Sequence, residues 1–479
     1  MPPGGSPPAR AGLRGRALTV HTVEVERHLF GTDGIRGVAN EHPMTPELAL
    51  RLGRAVTFVA GRGLSHAPRI VIGKDTRLSG YLIETAIASG ICSMGGRVML
   101  CGPIPTPAVA HLTVSMRAQA GIVISASHNP YADNGIKIFG RDGFKLPDQA
   151  EIEIEALMKD DAGLMGARKT GPDIGRAERL RGALGRYIVF AKTTFPNDLS
   201  LEGVRIVVDA AHGAAYKTAP LVFQELGARV SAIGVKPNGL NINREFGALH
   251  PENARVEVIR KGAQIGIALD GDADRVIVID EKGQIVDGDA VMAMCALRLI
   301  QEGQLKKMTL VATVMSNLGL ERSMKAQGAR LIRTPVGDRY VVEAMREGGY
   351  NLGGEQSGHL VFLDHASTGD GIIGALQVLA LMMKTGKPVS ELARTAMERV
   401  PQVLENISLP ARRPLEQMAM LTETTAKVKK ELGDDGRILI RWSGTEPKLR
   451  IMVEGPDEAR IAAWAQDLIA AARADIPTA

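Results

Sequence analysis

The sequence predicts an α/β protein in which three related domains with mixed α/β sheets, followed by a smaller α+β C-terminal domain, are arranged around one central cleft. Two observations carry this. Strand-like apolar runs alternate with helical stretches through most of the chain, as in "RIVIG" before "SGYLIETAIASGICSMG", "VRIVVDA" before "TAPLVFQELGA" and "LVATV" before "LERSMKAQG". That βαβ rhythm builds largely parallel sheets with helices on both faces. A looser repeat overlies it: an apolar run, a polar loop, a second apolar run and a glycine turn recur in "GIVISASHNPYADNGIKIFGRDG", "IGIALDGDADRVIVIDEKG" and "YNLGGEQSGHLVFLD". The loop centres, Ser127, Asp272 and Ser357, are far enough apart for one α/β unit each. Ligands of open parallel sheets bind outside the strand ends, so the three loops are expected to converge on one site.

The remaining segments follow in order. "KTGPDIGRAERLRGALGRYIVFA" reads as a linker feeding a helix, and "KTGKPVSELA" as a turn before another. Past Val400, "RILIRWSGTEPKLRIMVEG" gives two β-runs around a polar loop, and "DEARIAAWAQDLIAAARA" an amphipathic helix. A chain of 479 residues exceeds one hydrophobic core. The expected units are 28–180, 181–290, 291–400 and 401–479, with 1–27 a disordered extension.

Composition narrows the function. At 45% hydrophobic and 23% charged, the chain matches a globular enzyme rather than a disordered or fibrous protein. The net charge of +5 owes much to Arg10, Arg14, Arg16 and Arg27 at the start. The rest is nearly balanced and has no basic patch with interleaved aromatics, which argues against nucleic acid as a partner. No apolar run approaches the roughly 18 residues of a membrane span, and the Pro/Gly/Arg-rich start lacks the apolar region of a secretory signal. Cys92, Cys101 and Cys295 are odd in number and lack CxxC spacing, so a reducing, cytoplasmic setting is expected.

Four loops carry candidate chemistry. Asp270, Asp272 and Asp274 in "DGDADR" place three carboxylates within a few residues. Mutual repulsion raises at least one pKa unless a cation neutralises them, and oxygen ligands favour Mg²⁺. A solvated acidic turn is the plain alternative. A calcium EF-hand is the sharper one, opposed by Arg275 where that loop needs glycine and by β-like flanks. "RWSGTEPKLR" offers Arg441, Ser443, Gly444, Thr445 and Arg450 as parts of a phosphate clamp, although a charged hairpin uses the same letters. "GGEQSGH" presents Glu355 and Ser357 for sugar hydroxyls or for a simple turn. In "SASHNP", His128 stands beside Ser127, and the choice lies between an Asx-Pro turn and an activated or phosphorylated serine. No GxSxG elbow supports a hydrolase triad.

The four motifs in this order resemble the α-D-phosphohexomutase superfamily from about Leu29 to the C-terminus. "FGTDGIRG", "GKDTRLSGY", "TPVGDRYV", "STGDGI" and the "SGTEP" form of the clamp are more similar to its phosphoglucosamine mutase branch than to its phosphomannomutase/phosphoglucomutase branch. The resemblance implies an intramolecular phosphotransferase that interconverts glucosamine 6-phosphate and glucosamine 1-phosphate, feeding UDP-N-acetylglucosamine and cell-wall synthesis. It implies that Ser127 carries the phosphoryl group, primed by glucosamine or glucose 1,6-bisphosphate. Mg²⁺ is then held by Asp270, Asp272, Asp274 and phospho-Ser127, with Arg275 beside the phosphoryl group. Glu355 and Ser357 bind sugar hydroxyls, and Arg441, Ser443, Gly444, Thr445 and Arg450 the non-reacting phosphate. Arg36 and Lys137 line the cleft, and Lys137 and His359 are the proton-transfer candidates. The four units become phosphoserine, metal, sugar and phosphate domains, and the resemblance also allows a homodimer.

Overall fold

The computed structural model describes residues 28–443 and 448–476. The expectation of a disordered extension over 1–27, and the clamp residues Gly444 and Thr445, lie outside the described residues. The first sheet holds β1 (Ile35–Val38), β2 (Arg69–Lys74), β3 (Arg97–Pro103), β4 (Ala120–Ile124), β5 (Asp133–Gly140) and β6 (Arg176–Arg179) in the order β1-β5-β4-β2-β3-β6. In the second, β7 (Arg205–Asp209), β8 (Arg229–Ile233), β9 (Ile265–Leu269), β10 (Val276–Asp280) and β11 (Ile285–Val286) run β11-β10-β9-β7-β8. The third orders β12 (Thr309–Thr313), β13 (Arg330–Thr334), β14 (Leu352–Gly354) and β15 (Leu360–Phe362) as β13-β12-β14-β15. A fourth, antiparallel sheet has β18 (Lys448–Glu454) between β16 (Gln402–Ser408) and β17 (Arg437–Trp442).

The internal repeat has a definite structural meaning. Parallel pairs build the body of each of the first three sheets, and the repeat adds one antiparallel hairpin: β4 with β5, β9 with β10, β14 with β15. Each polar loop is therefore the turn of a hairpin whose flanking strands are buried. The strands β9 and β10 also dispose of the EF-hand alternative, which requires helices on both sides of the loop.

One expectation is corrected. The stretch taken as a linker contains β6, which pairs in parallel with β3 before the helix Ala183–Thr193 begins. Its four residues are all exposed and three are charged, so the apolar signal of a strand is missing although the backbone ladder forms.

The core shows which parts are packed together. One continuous apolar cluster runs from Val71 and Phe139 through Ile206 and Leu269 to Leu310 and Leu376, joining the first three domains. The C-terminal domain has a separate core around Met418, Ile451 and Leu468. Within the shared core lies the helix Gly371–Thr385, started by Asp370, whose side chain accepts from Ile372 and Ile373 N–H at 3.0 Å each. Among the described residues no single helix is long and apolar enough to cross a membrane. The two helices Gly371–Thr385 and Val389–Ala396 reach that length only together, bent by 98°.

Candidate active site

The loop after β4 brings the phosphoserine candidate out on strained backbone. Ser127 has φ +53°, a left-handed conformation costly for a residue with a Cβ, and it is held there by several contacts. Its N–H donates to Ser125 Oγ at 2.9 Å, and Ser125 Oγ in turn donates to Asp75 Oδ2 at 2.5 Å. Asp75 pairs with Arg77, a fully buried guanidinium that donates to the carbonyls of Ser127 and Asn129. From the second domain, Asn243 Nδ2 donates to the same two carbonyls at 2.8 and 3.0 Å. The loop also turns through its backbone, Asn129 N–H donating to Ala126 O at 3.1 Å and Asp133 N–H to Pro130 O at 3.2 Å, and Asn129 Nδ2 donates to the Asp133 carboxylate at 2.9 Å. The loop is thus both a turn and a presented hydroxyl.

Across the domain boundary the acidic loop meets it closely. A Cβ on Gly271 would lie 2.5 Å from Ser127 O, so only glycine permits this approach. Ser127 Oγ donates to Asp270 Oδ2 at 2.6 Å, whereas His128 Nδ1 stands 3.3 Å from the hydroxyl. The closer partner of the serine is therefore the aspartate. Burial, aided by Arg275 and Arg36, pushes His128 down to about 4, which leaves its imidazole neutral.

Asp270, Asp272 and Asp274 are all buried and offer carboxylate oxygens within 4.8 Å of one another. Asp270 and Asp274 shift in opposite directions. Burial, then Asp274 and Asp272, drive Asp270 well above the usual carboxylate range. Asp274 lies well below it, because Lys137 and His359 outweigh burial. Asp272 Oδ2 accepts from Thr106 Oγ1 at 2.7 Å and Lys137 Nζ at 3.0 Å. Asp272 Oδ1 and Asp274 Oδ1 are buried and without hydrogen-bond partners. Unpartnered buried carboxylate oxygens are costly, and a hard divalent cation would satisfy both.

Other predicted residues gather around this centre. Lys137, in the middle of β5, is buried and also reaches Asp33 at 3.2 Å, while Arg36 pairs with the same Asp33. Arg275 anchors its loop by donating its N–H to Asp270 Oδ1 at 3.1 Å, and its backbone bridges to His359. His359 Nδ1 stands 3.7 Å from Asp274. On the sugar loop Glu355 accepts from Gly337 N–H at 3.1 Å and from Ser357 Oγ at 3.2 Å, and Ser357 is exposed.

The C-terminal clamp is more open. Arg441 and Arg450 are half-buried, and the Nε of each lacks a partner. Ser443 is buried, with its carbonyl capped by Arg412 at 2.6 Å. Burial and Arg450 lower the Arg441 pKa, with Glu355 opposing. The residues that sequence reasoning did not single out are Asp75, Arg77, Thr106 and Asn243. Asp75 and Arg77 lie in "GKDTRLSGY", noted only as a family motif, and Thr106 and Asn243 carry no local signal.

Comparison with known proteins agrees with this fold. Models of the phosphoglucomutase/phosphomannomutase α/β/α domains I, II and III and of the C-terminal domain match residues 27–163, 186–283, 287–400 and 403–471. The phosphoglucosamine mutase of Sorangium cellulosum (strain So ce56) is 68% identical over 450 residues, covering 94% of each chain. That of Anaeromyxobacter sp. (strain Fw109-5) is 58% identical, over 96% of this chain and 98% of its own. Among solved structures, a phosphoglucomutase/phosphomannomutase family protein from Burkholderia thailandensis superposes with TM-score 0.78 at 25% identity, covering 94% of this chain and 98% of that one. The Aspergillus fumigatus N-acetylphosphoglucosamine mutase, solved with GlcNAc-6P and magnesium, shares the fold at TM-score 0.62 and 16% identity, over 94% and 96%. Four domains matched in order, and this identity along nearly the whole length, show that the chain belongs to the phosphoglucosamine mutase branch of the α-D-phosphohexomutase superfamily.

Proposed function

We propose that the chain interconverts glucosamine 6-phosphate and glucosamine 1-phosphate through phospho-Ser127 and a 1,6-bisphosphate intermediate. One observation carries the reading: Ser127 Oγ lies 2.6 Å from Asp270, at the edge of a buried carboxylate triad with unsatisfied oxygens. Asp270, Asp272 and Asp274, with the phosphorylated serine, would hold Mg²⁺. When bound, the ion neutralises charge on the phosphoryl group in flight.

The chain's own residues do the rest. Arg441, Arg450 and the clamp backbone hold the non-reacting phosphate, while Glu355 and Ser357 hold the sugar hydroxyls. In the forward direction the P–Oγ bond of phospho-Ser127 breaks and a bond to the substrate's O1 forms. The hydroxyl proton leaves O1 to a neighbouring base, for which Lys137 and His359 are the candidates. After the bisphosphate turns around, the P–O6 bond breaks, the phosphoryl group returns to Oγ, and a proton is delivered to O6. Arg275 and Arg36 stay beside the transferring group as fixed positive charge. A separate core in the C-terminal domain suits a clamp that must release and regrip.

The test is an assay with glucosamine, glucose and mannose 6-phosphates, primed with glucose 1,6-bisphosphate, together with intact-mass analysis for one phosphate on Ser127. Highest kcat/KM on glucosamine 6-phosphate is expected; highest on a hexose phosphate overturns the sugar assignment, and no turnover with any sugar points to a binding protein. A cytoplasmic location, supported by three free cysteines, and a homodimer, as in the resemblance, belong to the same reading. Fractionation and sedimentation test them.

A further inference from the structure

The two proton-transfer candidates belong to a closed circuit of charge drawn from three domains. Asp274 Oδ2 lies 3.3 Å from Lys137 Nζ, and Lys137 Nζ lies 3.2 Å from Asp33 Oδ2. The other oxygen of Asp33 pairs with Lys145, whose Nζ stands 2.6 Å from Asp338 Oδ2. Asp338 Oδ2 is 3.5 Å from His359 Nε2, and His359 Nδ1 returns to Asp274 Oδ1 at 3.7 Å. Acid and base alternate at every step. Asp33, Lys137 and Lys145 come from the first domain, Asp274 from the second, and Asp338 and His359 from the third.

We propose that Asp33, Lys145 and Asp338 are positioning residues that fix the orientation of Lys137 and His359 and make that orientation depend on how the third domain seats against the first. The inference rests on the mutase reading above for its kinetic consequences. Geometry supports it in two ways. His359 Nε2 is fully buried with no hydrogen-bond partner, so the carboxylate of Asp338 is what faces that end of the ring. Lys145 bridges Asp33 directly to Asp338, and its side chain is only 12% exposed. Burial opposes charge at all three sites, yet Lys137, Lys145 and Arg36 hold Asp33 low, Lys145 and His359 hold Asp338 low, and the two aspartates hold Lys145 high. Each therefore stays ionised.

The seam itself does not depend on Lys145. Arg339 donates to Glu151 at 2.6 Å and to Leu146 O at 2.8 Å, and Ser367 Oγ donates to Gly143 O at 2.6 Å. These contacts line or flank a groove of about 860 Å³ between the two domains, and none of them involves the inner bridge. A bridge that were merely structural would be redundant here.

The test compares Lys145→Met, Asp338→Asn, the double variant and Lys145→Arg in the full chain. Each single change is expected to lower kcat about tenfold or more with KM little altered, and the double to lose no more than the worse single, as residues acting as a unit do. Lys145→Arg recovers part of the loss. Unchanged kcat, or a double loss equal to the product of the singles, overturns the proposal. Asp338→Asn keeps the side-chain shape and decides alone where Lys145→Met does not fold. A second readout needs no turnover: the ¹⁵N ring signal of His359, identified by its disappearance in His359→Gln, is expected to move in Lys145→Met although the two residues do not touch. A signal that stays in place overturns the proposal. Wild-type protein inactive on every sugar phosphate would sink the mutase reading, while a shifted signal would still uphold the circuit.

Discussion

Arg441 and Arg450 stand directly opposite each other on β17 and β18, two positive charges paired in register on one antiparallel ladder. Like charges so placed destabilise a sheet, so the sheet is not built for its own stability here. An anion between the guanidinium groups removes the repulsion and gives charge-assisted hydrogen bonds. Arg441→Ala and Arg450→Ala are each expected to lose roughly 1.5–3 kcal/mol of contact and to raise KM by about one or two powers of ten. In phosphate-free buffer the same variants should melt no lower than the parent. A lower melting temperature with unchanged KM would make the pair a plain structural feature.

The two serines of the loop after β4 separate chemistry from support. Ser127→Ala removes the phosphoryl carrier, so activity and the covalent phosphate both vanish while stability changes little. Ser125→Ala leaves the carrier in place but strips the buried Ser127 N–H of its acceptor and Asp75 of one of its donors, leaving it those of Arg77. A loss of about 1–3 kcal/mol is expected, with residual activity and phosphate retained. Denaturant unfolding alongside intact-mass analysis distinguishes them, and phosphate that persists in Ser127→Ala would move the carrier elsewhere.

These serines also show what the sequence can and cannot disclose. The hairpins of the three chemical loops were legible because buried strands on either side of a polar turn leave a period of apolar residues and glycines. Ser127, the aspartates, Glu355 and the clamp arginines were legible because their types are crowded into short motifs. Thr106 and Asn243 were not, since each acts on a loop more than a hundred residues away. The preference of Ser127 for Asp270 over adjacent His128 was hidden for the same reason: sequence adjacency favoured the histidine, and domain packing brought the aspartate closer. Strand β6 was hidden by composition, because a fully exposed edge carries no apolar imprint.

Within the aspartate triplet the three carboxylates are not equivalent, and the difference is measurable. Asp270 is the member that burial and its neighbours push up, whereas Asp272 has Lys137 and Thr106 as direct partners. Asp270→Asn should therefore stabilise the metal-free fold at neutral pH, and Asp272→Asn should destabilise it by stranding the buried Lys137. Both weaken Mg²⁺ binding. Thermal melts with and without Mg²⁺ check this; an ion-induced rise as large as the parent's in either variant would remove that residue from the metal site.

Removal of residues 402–479 tests the division of labour. Because the C-terminal domain has its own core, the remaining three domains should fold, keep the Ser127 phosphate, and bind glucosamine 6-phosphate far more weakly. Stability should fall somewhat, since Glu454 no longer accepts from Asn317 and Arg437 no longer caps Val314 and Ser316. Calorimetric titration giving the parent's affinity would place the clamp elsewhere.

At that same joint lies a carboxyl that makes stability depend on pH. Asp289 is wholly buried; one oxygen accepts from Asn317 N–H at 2.8 Å and the other has no partner. Asn317 in turn holds Val400 and Glu454, tying the third domain to the fourth. Burial, then Asp287, push Asp289 up to about 7 from an ordinary 3.8. The folded state therefore favours the protonated acid. Its stabilisation is complete below pH 3.8 and is lost as pH rises through about 7, above which the fold carries an ionised, desolvated carboxylate. Asp289→Asn keeps an oxygen for Asn317 N–H and removes the charge. The variant should be roughly 1–3 kcal/mol more stable than the parent at pH 8 and no more stable at pH 4, where the parent's acid is largely protonated. Urea unfolding at the two pH values decides it: a gain of the same size at both would assign the effect to packing, and a loss at pH 8 would show that the ionised carboxylate is the form the joint requires.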